Sequence, residues 1–176
     1  MGWSVEWRER PRAEFIKSRL RGWDNECAKA VLLAHSDKGN HLWKVYEITV
    51  KQGERAGQTE RFIAMDQIIK ERGQGWGYKD QEEGDGLSFY DCPLKFLDMV
   101  PEPTNSRWAA EWRQKVRAHH AKCARKRKAV RNLRIGQVVS LLPGHTPKEL
   151  TIISLKPLRG SAHGLVYKLR PGVIAI

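Results

Sequence analysis

The chain has 176 residues, of which 40% are hydrophobic and seven are tryptophan, and its formal net charge is +12. That length holds one domain with a small appendage or two small domains, and the apolar content supports a real core. It excludes a membrane-spanning helix, since no apolar run approaches the roughly 20 residues a span needs. It also excludes a disulfide framework, since Cys27, Cys92 and Cys123 are odd in number and widely spaced.

Residues 2–7 alternate around Trp3, Val5 and Trp7, a short strand pattern. The same stretch lacks an apolar signal region, so no signal peptide is expected. Trp7 follows Glu6 where a myristoylation motif wants Ser or Thr, so lipidation is discounted. Pro11 suits the first turn of a helix, and Phe15, Ile16, Leu20 and Trp23 recur at helical spacing behind it. Ala28 to His35 reads as a strand. Asp37-Lys38-Gly39-Asn40 is a hairpin turn. His41 to Val50 follows as a second strand, with Trp43, Val45, Glu47 and Thr49 on one face and Leu42, Lys44, Tyr46 and Ile48 on the other. Gln52 to Thr59 is a polar connection. Arg61 to Ile69 is a third strand running toward a short helical turn.

Gly73 to Pro93 reads as a glycine-rich acidic loop around which the first part of the chain is organised. Its glycines bracket Trp76, Tyr78, Lys79, Asp80, Glu82 and Glu83. These are the candidate contact residues for a protein partner or for a neighbouring helix. Pro93 to Val100 is a brief helix with Leu94, Leu97 and Met99 facing inward, and Pro101 and Pro103 end it.

Asn105 or Ser106 caps a long helix. Trp108, Trp112, Val116, His119 or His120, Cys123, Arg127 and Val130 fall three or four residues apart and form one narrow apolar seam along it. Both tryptophans are read as core, and the second half of the helix is expected to project into solvent. After Gly136, four short strand candidates follow: 138–142, 150–155, 165–169 and 173–176. Pro143-Gly144, Pro157 to Gly160 and Pro171-Gly172 punctuate them. Strands of this length and spacing point to a small SH3-like barrel.

The charge is uneven. Residues 1–104 carry 16 Lys/Arg and 18 Asp/Glu, whereas residues 105–135 carry 11 Lys/Arg and the single acid Glu111. A block this one-sided is the footprint of a polyanion partner. The candidate nucleic-acid-binding residues are Arg113, Arg117, Lys122, Arg125, Lys126, Arg127, Lys128, Arg131 and Arg134.

Chemistry-bearing groups are sparser. Asp80, Glu82, Glu83 and Asp85, with Asp66 or Glu47, have the hard oxygen donors that Mg²⁺ or Mn²⁺ prefers. They match no calcium-loop register, and a surface turn with local charge pairs is the preferred reading. His119, His120 and Cys123 share a helix but lack a Cys-x-x-Cys anchor for zinc. His35-Ser36-Asp37 are adjacent and cannot form a relay by themselves. Cys92 before Pro93 has no indicated histidine partner for nucleophilic work. Trp76 is the exposed candidate for base stacking, with a structural role preferred. No catalytic residue, metal site or cofactor is assigned.

Gly-Trp-Gly-Tyr-Lys-Asp-Gln-Glu-Glu at 75–83, followed by Tyr-Asp-Cys-Pro at 90–93, resembles a motif of an uncharacterised family encoded largely by bacteriophages and plasmids. Members of that family tend to begin Met-Gly-Trp, as this chain does, and carry a Gly-Tyr-Lys-Asp-x-x-Glu sequence before Cys-Pro. Gln81 and Glu82 replace the usual Met and Asp. The resemblance covers about the first 130 residues. It implies a mobile-element origin and a bacterial cytoplasmic setting, and it brings no established activity.

The expected architecture is α+β: residues 1–104 as an α+β domain with a small antiparallel sheet, 105–135 as the basic helix, and 136–176 as the small barrel. The expected function is non-catalytic binding of DNA, RNA or a host nucleoprotein complex, with antagonism of a defence system such as CRISPR or restriction within reach of a basic mobile-element protein. One alternative is a metal-dependent nuclease or hydrolase centred on the acidic loop. The other is a protein-only adaptor using the barrel.

Overall fold

Apolar side chains at every second position give a strand one buried face, and residues 42–48 carry them on both, since Trp43 and Val45 alternate with Leu42, Tyr46 and Ile48. In the computed structural model, residues 4–6, 9–71, 75–83, 86–102, 106–170 and 173–174 are described. They fall into two units, Met1–Ala118 and His119–Ile176. Trp3, Trp7, Gly73, Asp85, Pro103, Asn105, Pro171, Gly172 and residues 175–176, invoked above, lie outside the described residues.

The first unit is built on β1 (Ser4–Glu6), α1 (Arg12–Arg19), β2 (Trp23–Asp24), β3 (Ala28–Lys38), β4 (His41–Val50), β5 (Thr59–Glu71), β6 (Gly75–Glu82) and α2 (Leu94–Met99). The six strands form one curled antiparallel sheet in the order β1-β6-β5-β4-β3-β2. Lys38 pairs with His41 across Gly39 and Asn40, and Gly39 sits at φ 61°, the left-handed geometry a tight turn uses. Leu33 is the extra residue of a bulge between Leu32 and Ala34.

The alternation read in residues 42–49 is realised. On one face Trp43, Val45, Ile63 and Met65 pack with Phe96 and Leu97 of α2 and with Trp112 and Val116. On the other, Leu42 and Ile68 pack against Phe15 and Ile16 of α1, with the rings of Trp76 and Tyr78 alongside. Farther along that second face lie Ala30, Tyr46 and Ala64.

Several local expectations change. The stretch after residue 74 is not a loop: β6 pairs with β5 from Gly75 to Glu82. Its glycines at 75 and 77 are buried within the sheet; Gly75, at the start of the strand, keeps a positive φ of 93°, while Gly77 pairs in the ladder like any strand residue. β5 continues as strand to Glu71, with no helical turn. Trp23 belongs to β2 rather than to α1. On α2 it is Phe96 that is buried, while Leu94 is exposed.

The second unit contains β7 (Val138–Ser140), β8 (Glu149–Leu155), β9 (Leu158–Ala162) and β10 (Leu165–Lys168) in an antiparallel sheet of order β10-β9-β8-β7. Its core joins Val139, Leu150, Ile152, Leu158, Leu169 and Ile174 with Leu133. β9 falls where the sequence suggests punctuation. Gly160 is buried there because the sheet packs too closely for a side chain. A Cβ on it would lie 2.9 Å from Leu150 Cβ and 3.2 Å from Leu169 Cδ1.

Helix α3 (Arg107–Arg131) has 25 residues, and the division between the units falls inside it. Among the described residues no helix is long and apolar enough to cross a membrane.

Candidate functional site

Alanine-rich and free of Gly and Pro, residues 107–131 favour helix. The Ser106 hydroxyl accepts the Ala109 N–H at 3.2 Å, and its carbonyl accepts the Ala110 N–H at 3.1 Å, so Ser106 is the cap. Lys128 and Arg131 in the last turn complement the negative end of the helix dipole.

The first half of α3 anchors it in the first unit. Trp112 is buried, and its indole N–H donates to the Phe89 carbonyl at 2.8 Å. Trp108, expected beside it in the core, is instead 70% exposed. It lines a groove with Tyr90 and Lys115. Arg113 was expected on the charged flank but is only 1% exposed. Its guanidinium engages both carboxylate oxygens of Glu83 and donates to the Val100 carbonyl at 3.0 Å. Both Arg113 and Glu83 are therefore consumed inside the unit. Arg117 is exposed and donates to Glu102 at 2.5 Å, and that cation lowers the Glu102 carboxyl below its usual range.

The second half differs. Lys122, Arg125, Arg127, Lys128, Arg131 and Arg134 are exposed and Lys126 is half-buried. The second unit holds twelve Lys/Arg and a single acid, Glu149. The first unit holds twenty Lys/Arg and nineteen acids, so nearly all the chain's excess positive charge belongs to the second. Among the described residues, no carboxylate lies within ion-pair distance of these seven side chains. His119 Nε2 lies 3.5 Å from Cys123 Sγ on the same helix.

The β6 residues separate by strand parity. Trp76 and Tyr78 face α1. The Trp76 indole stacks on Phe15 at 5.7 Å and donates to the Arg10 carbonyl at 2.9 Å, so it is tied down rather than free for stacking. The Tyr78 ring lies 3.7 Å from the Arg19 guanidinium carbon, a close cation–π contact. Lys79 is half-buried, and Asp80 and Glu82 are exposed. Asp80 sits opposite Asp66 in the ladder.

Asp66, considered above as a metal ligand, is fully buried and already engaged. Lys44 Nζ donates to its Oδ1 at 2.7 Å and Arg19 Nε to its Oδ2 at 2.9 Å. Burial pushes the Lys44 ammonium below its ordinary value, and Asp66 opposes the shift. Glu47 pairs with Arg61 at 2.8 Å. Cys92 is buried, and desolvation together with nearby Glu83 and Asp91 pushes its thiol well up, so it is an inert packing residue. Among the described residues no three His, Cys, Asp or Glu side chains come together in a group suited to a metal.

The Arg19–Asp66–Lys44 cluster was not singled out from the sequence. A Lys flanked by Leu42, Tyr46 and Ile48 on an inward face was the available signal.

A family model described as a domain of unknown function (DUF6927) matches residues 103–170. The matched stretch spans α3 and all four strands of the second sheet. It is not the Gly-Tyr-Lys-Asp stretch that carries the motif resemblance. No curated protein and no solved structure matches the chain.

Proposed function

We propose that this chain binds nucleic acid without catalysing a reaction, and that the second half of α3 supplies most of the contact. The observation that carries this reading is the charge of the second unit, twelve Lys/Arg against Glu149 alone. Exposed cations without carboxylate neighbours are free to replace counterions on a phosphate backbone. Short β-strands and a basic helix within one matched stretch, 103–170, support treating them as one module. The bridge between Leu141 and Ile174 and the Leu142 N–H to Val173 carbonyl bond support closure of its sheet into a small SH3-like barrel. A phage or plasmid origin, a bacterial cytoplasmic setting and antagonism of a host defence system extend the same reading. They rest on the Met-Gly-Trp and Gly-Tyr-Lys-Asp resemblance.

The hydrolase alternative draws less support. Asp66 and Glu83, two of its carboxylates, are held by Lys44, Arg19 and Arg113.

The test is a salt titration of binding to labelled duplex DNA and single-stranded RNA. Reversing Arg125, Lys126, Arg127 and Lys128 to Glu is expected to weaken binding. The log–log salt slope should flatten by about 0.9 unit for each duplex phosphate that the variant no longer neutralises. A variant that keeps its helical content and an unchanged slope would remove α3 from the interface.

A further inference from the structure

The second face of the six-stranded sheet is only partly covered by α1. Beyond the helix, a cleft of about 360 Å³ opens between the α1–β2 connection and β6. That volume lies within the range of about 300–1,000 Å³ usual for small-molecule sites.

The walls of the cleft differ in charge. On one side stand Arg19 and Arg21, with Lys44 at the base. Arg19 and Lys44 share the carboxylate of Asp66 and are also favoured in their charged forms by nearby Asp80, and the exposed Arg21 adds a third cation. On the other side Asp80 and Glu82 project from β6. Between them lies aromatic surface. Tyr46 and Phe62 stack at 5.7 Å and 25°, and Trp23 on the rim is 44% exposed.

The cationic wall is built in place. The Tyr46 hydroxyl lies 3.4 Å from the carbonyls of both Arg19 and Arg21. Gly22 passes so close to β3 that a Cβ would lie 2.3 Å from the Ala30 carbonyl oxygen. The Arg19 guanidinium is fixed between the Tyr78 ring and Asp66. A buried ion pair with an extra cation adds little to stability compared with apolar packing, and such clusters concentrate at functional sites.

We propose that this cleft binds a free purine nucleoside monophosphate. The phosphate meets Arg19 and Arg21, the base lies against Trp23 and Phe62, and the base edge donates to Asp80. Guanine fits best, because its N1–H and N2 amino group form a paired donor edge that suits a carboxylate. The site lies wholly in the first unit and does not rest on the reading of α3.

Isothermal titration with GMP, guanosine and ribose 5-phosphate tests the proposal on the full chain. GMP is expected to bind saturably at one site, with guanosine and ribose 5-phosphate each at least about tenfold weaker. Arg21→Ala and Asp80→Asn alter exposed side chains, so the unliganded melting temperature should hold. Each variant is expected to weaken GMP about tenfold, the scale of removing one hydrogen bond to a charged group. Absence of saturable GMP binding, equal binding of ribose 5-phosphate, or GMP affinity unchanged in both variants would overturn it.

Discussion

Arg113 of α3 holds the carboxylate of Glu83 through two guanidinium nitrogens, and both side chains are buried. Removing one partner leaves the other charge buried and uncompensated. Arg113→Ala should therefore cost about 3–5 kcal/mol in urea unfolding. The double change Arg113→Met with Glu83→Gln should recover much of that loss, because it strands no charge. In the salt titration, that double variant should keep the wild-type slope. A reduced slope would mean that Arg113 reaches phosphate after all.

Trp108 and Trp112 sit one helical turn apart and should separate cleanly. Trp112 fills the core beside Trp43, with ring centroids 6.0 Å apart, so Trp112→Ala should cost about 3–5 kcal/mol. Trp108 is mostly in solvent, so Trp108→Ala should stay within about 0.5 kcal/mol. Equal losses in chemical denaturation would contradict the difference in burial.

The parts of this fold legible in sequence are those where side-chain period decides. Leu42, Tyr46 and Ile48 opposite Trp43 and Val45 declare a two-faced strand, and Gly39-Asn40 declares its turn. β6 was hidden because Gly75 and Gly77 look like turn residues, although β1 and β5 pair on either side of Gly77. Arg113 was hidden by composition, since one arginine in a basic run resembles the others. Helical geometry does mark it: it lies four residues after Ala109 and three before Val116, both buried. The cleft depends on which strands neighbour one another, bringing Lys44, Asp66 and Asp80 together from three strands, and no local pattern encodes that.

Gly160 tests close packing in the second sheet. Leu150 Cβ sits 2.9 Å from where a new methyl would stand, and that atom is fixed to its backbone. Gly160→Ala must therefore displace β8 or β9, at a cost of about 1–3 kcal/mol. Thermal unfolding of the variant should show this as a lower midpoint. A midpoint at or above that of the wild type would mean that the strands separate without strain.

Lys44 gives a pH dependence whose sign follows from its surroundings. Desolvation holds the folded-state value below the ordinary 10.5, despite the opposing pull of Asp66. The unfolded chain therefore binds the Lys44 proton more tightly than the folded chain. Stability rises with pH wherever the unfolded state holds more protons. The penalty for keeping this ammonium buried is present below the folded value. It is relieved as pH climbs through that value toward 10.5. Lys44→Met abolishes the titration and should remove this rising component. The check is the difference in unfolding free energy between wild type and Lys44→Met, measured by urea at a series of pH values from neutral up to 10.5 and held at constant ionic strength. The difference should shift in favour of the wild type as pH increases. A shift in the opposite direction would mean that Asp66 outweighs desolvation and holds the Lys44 ammonium above its ordinary value.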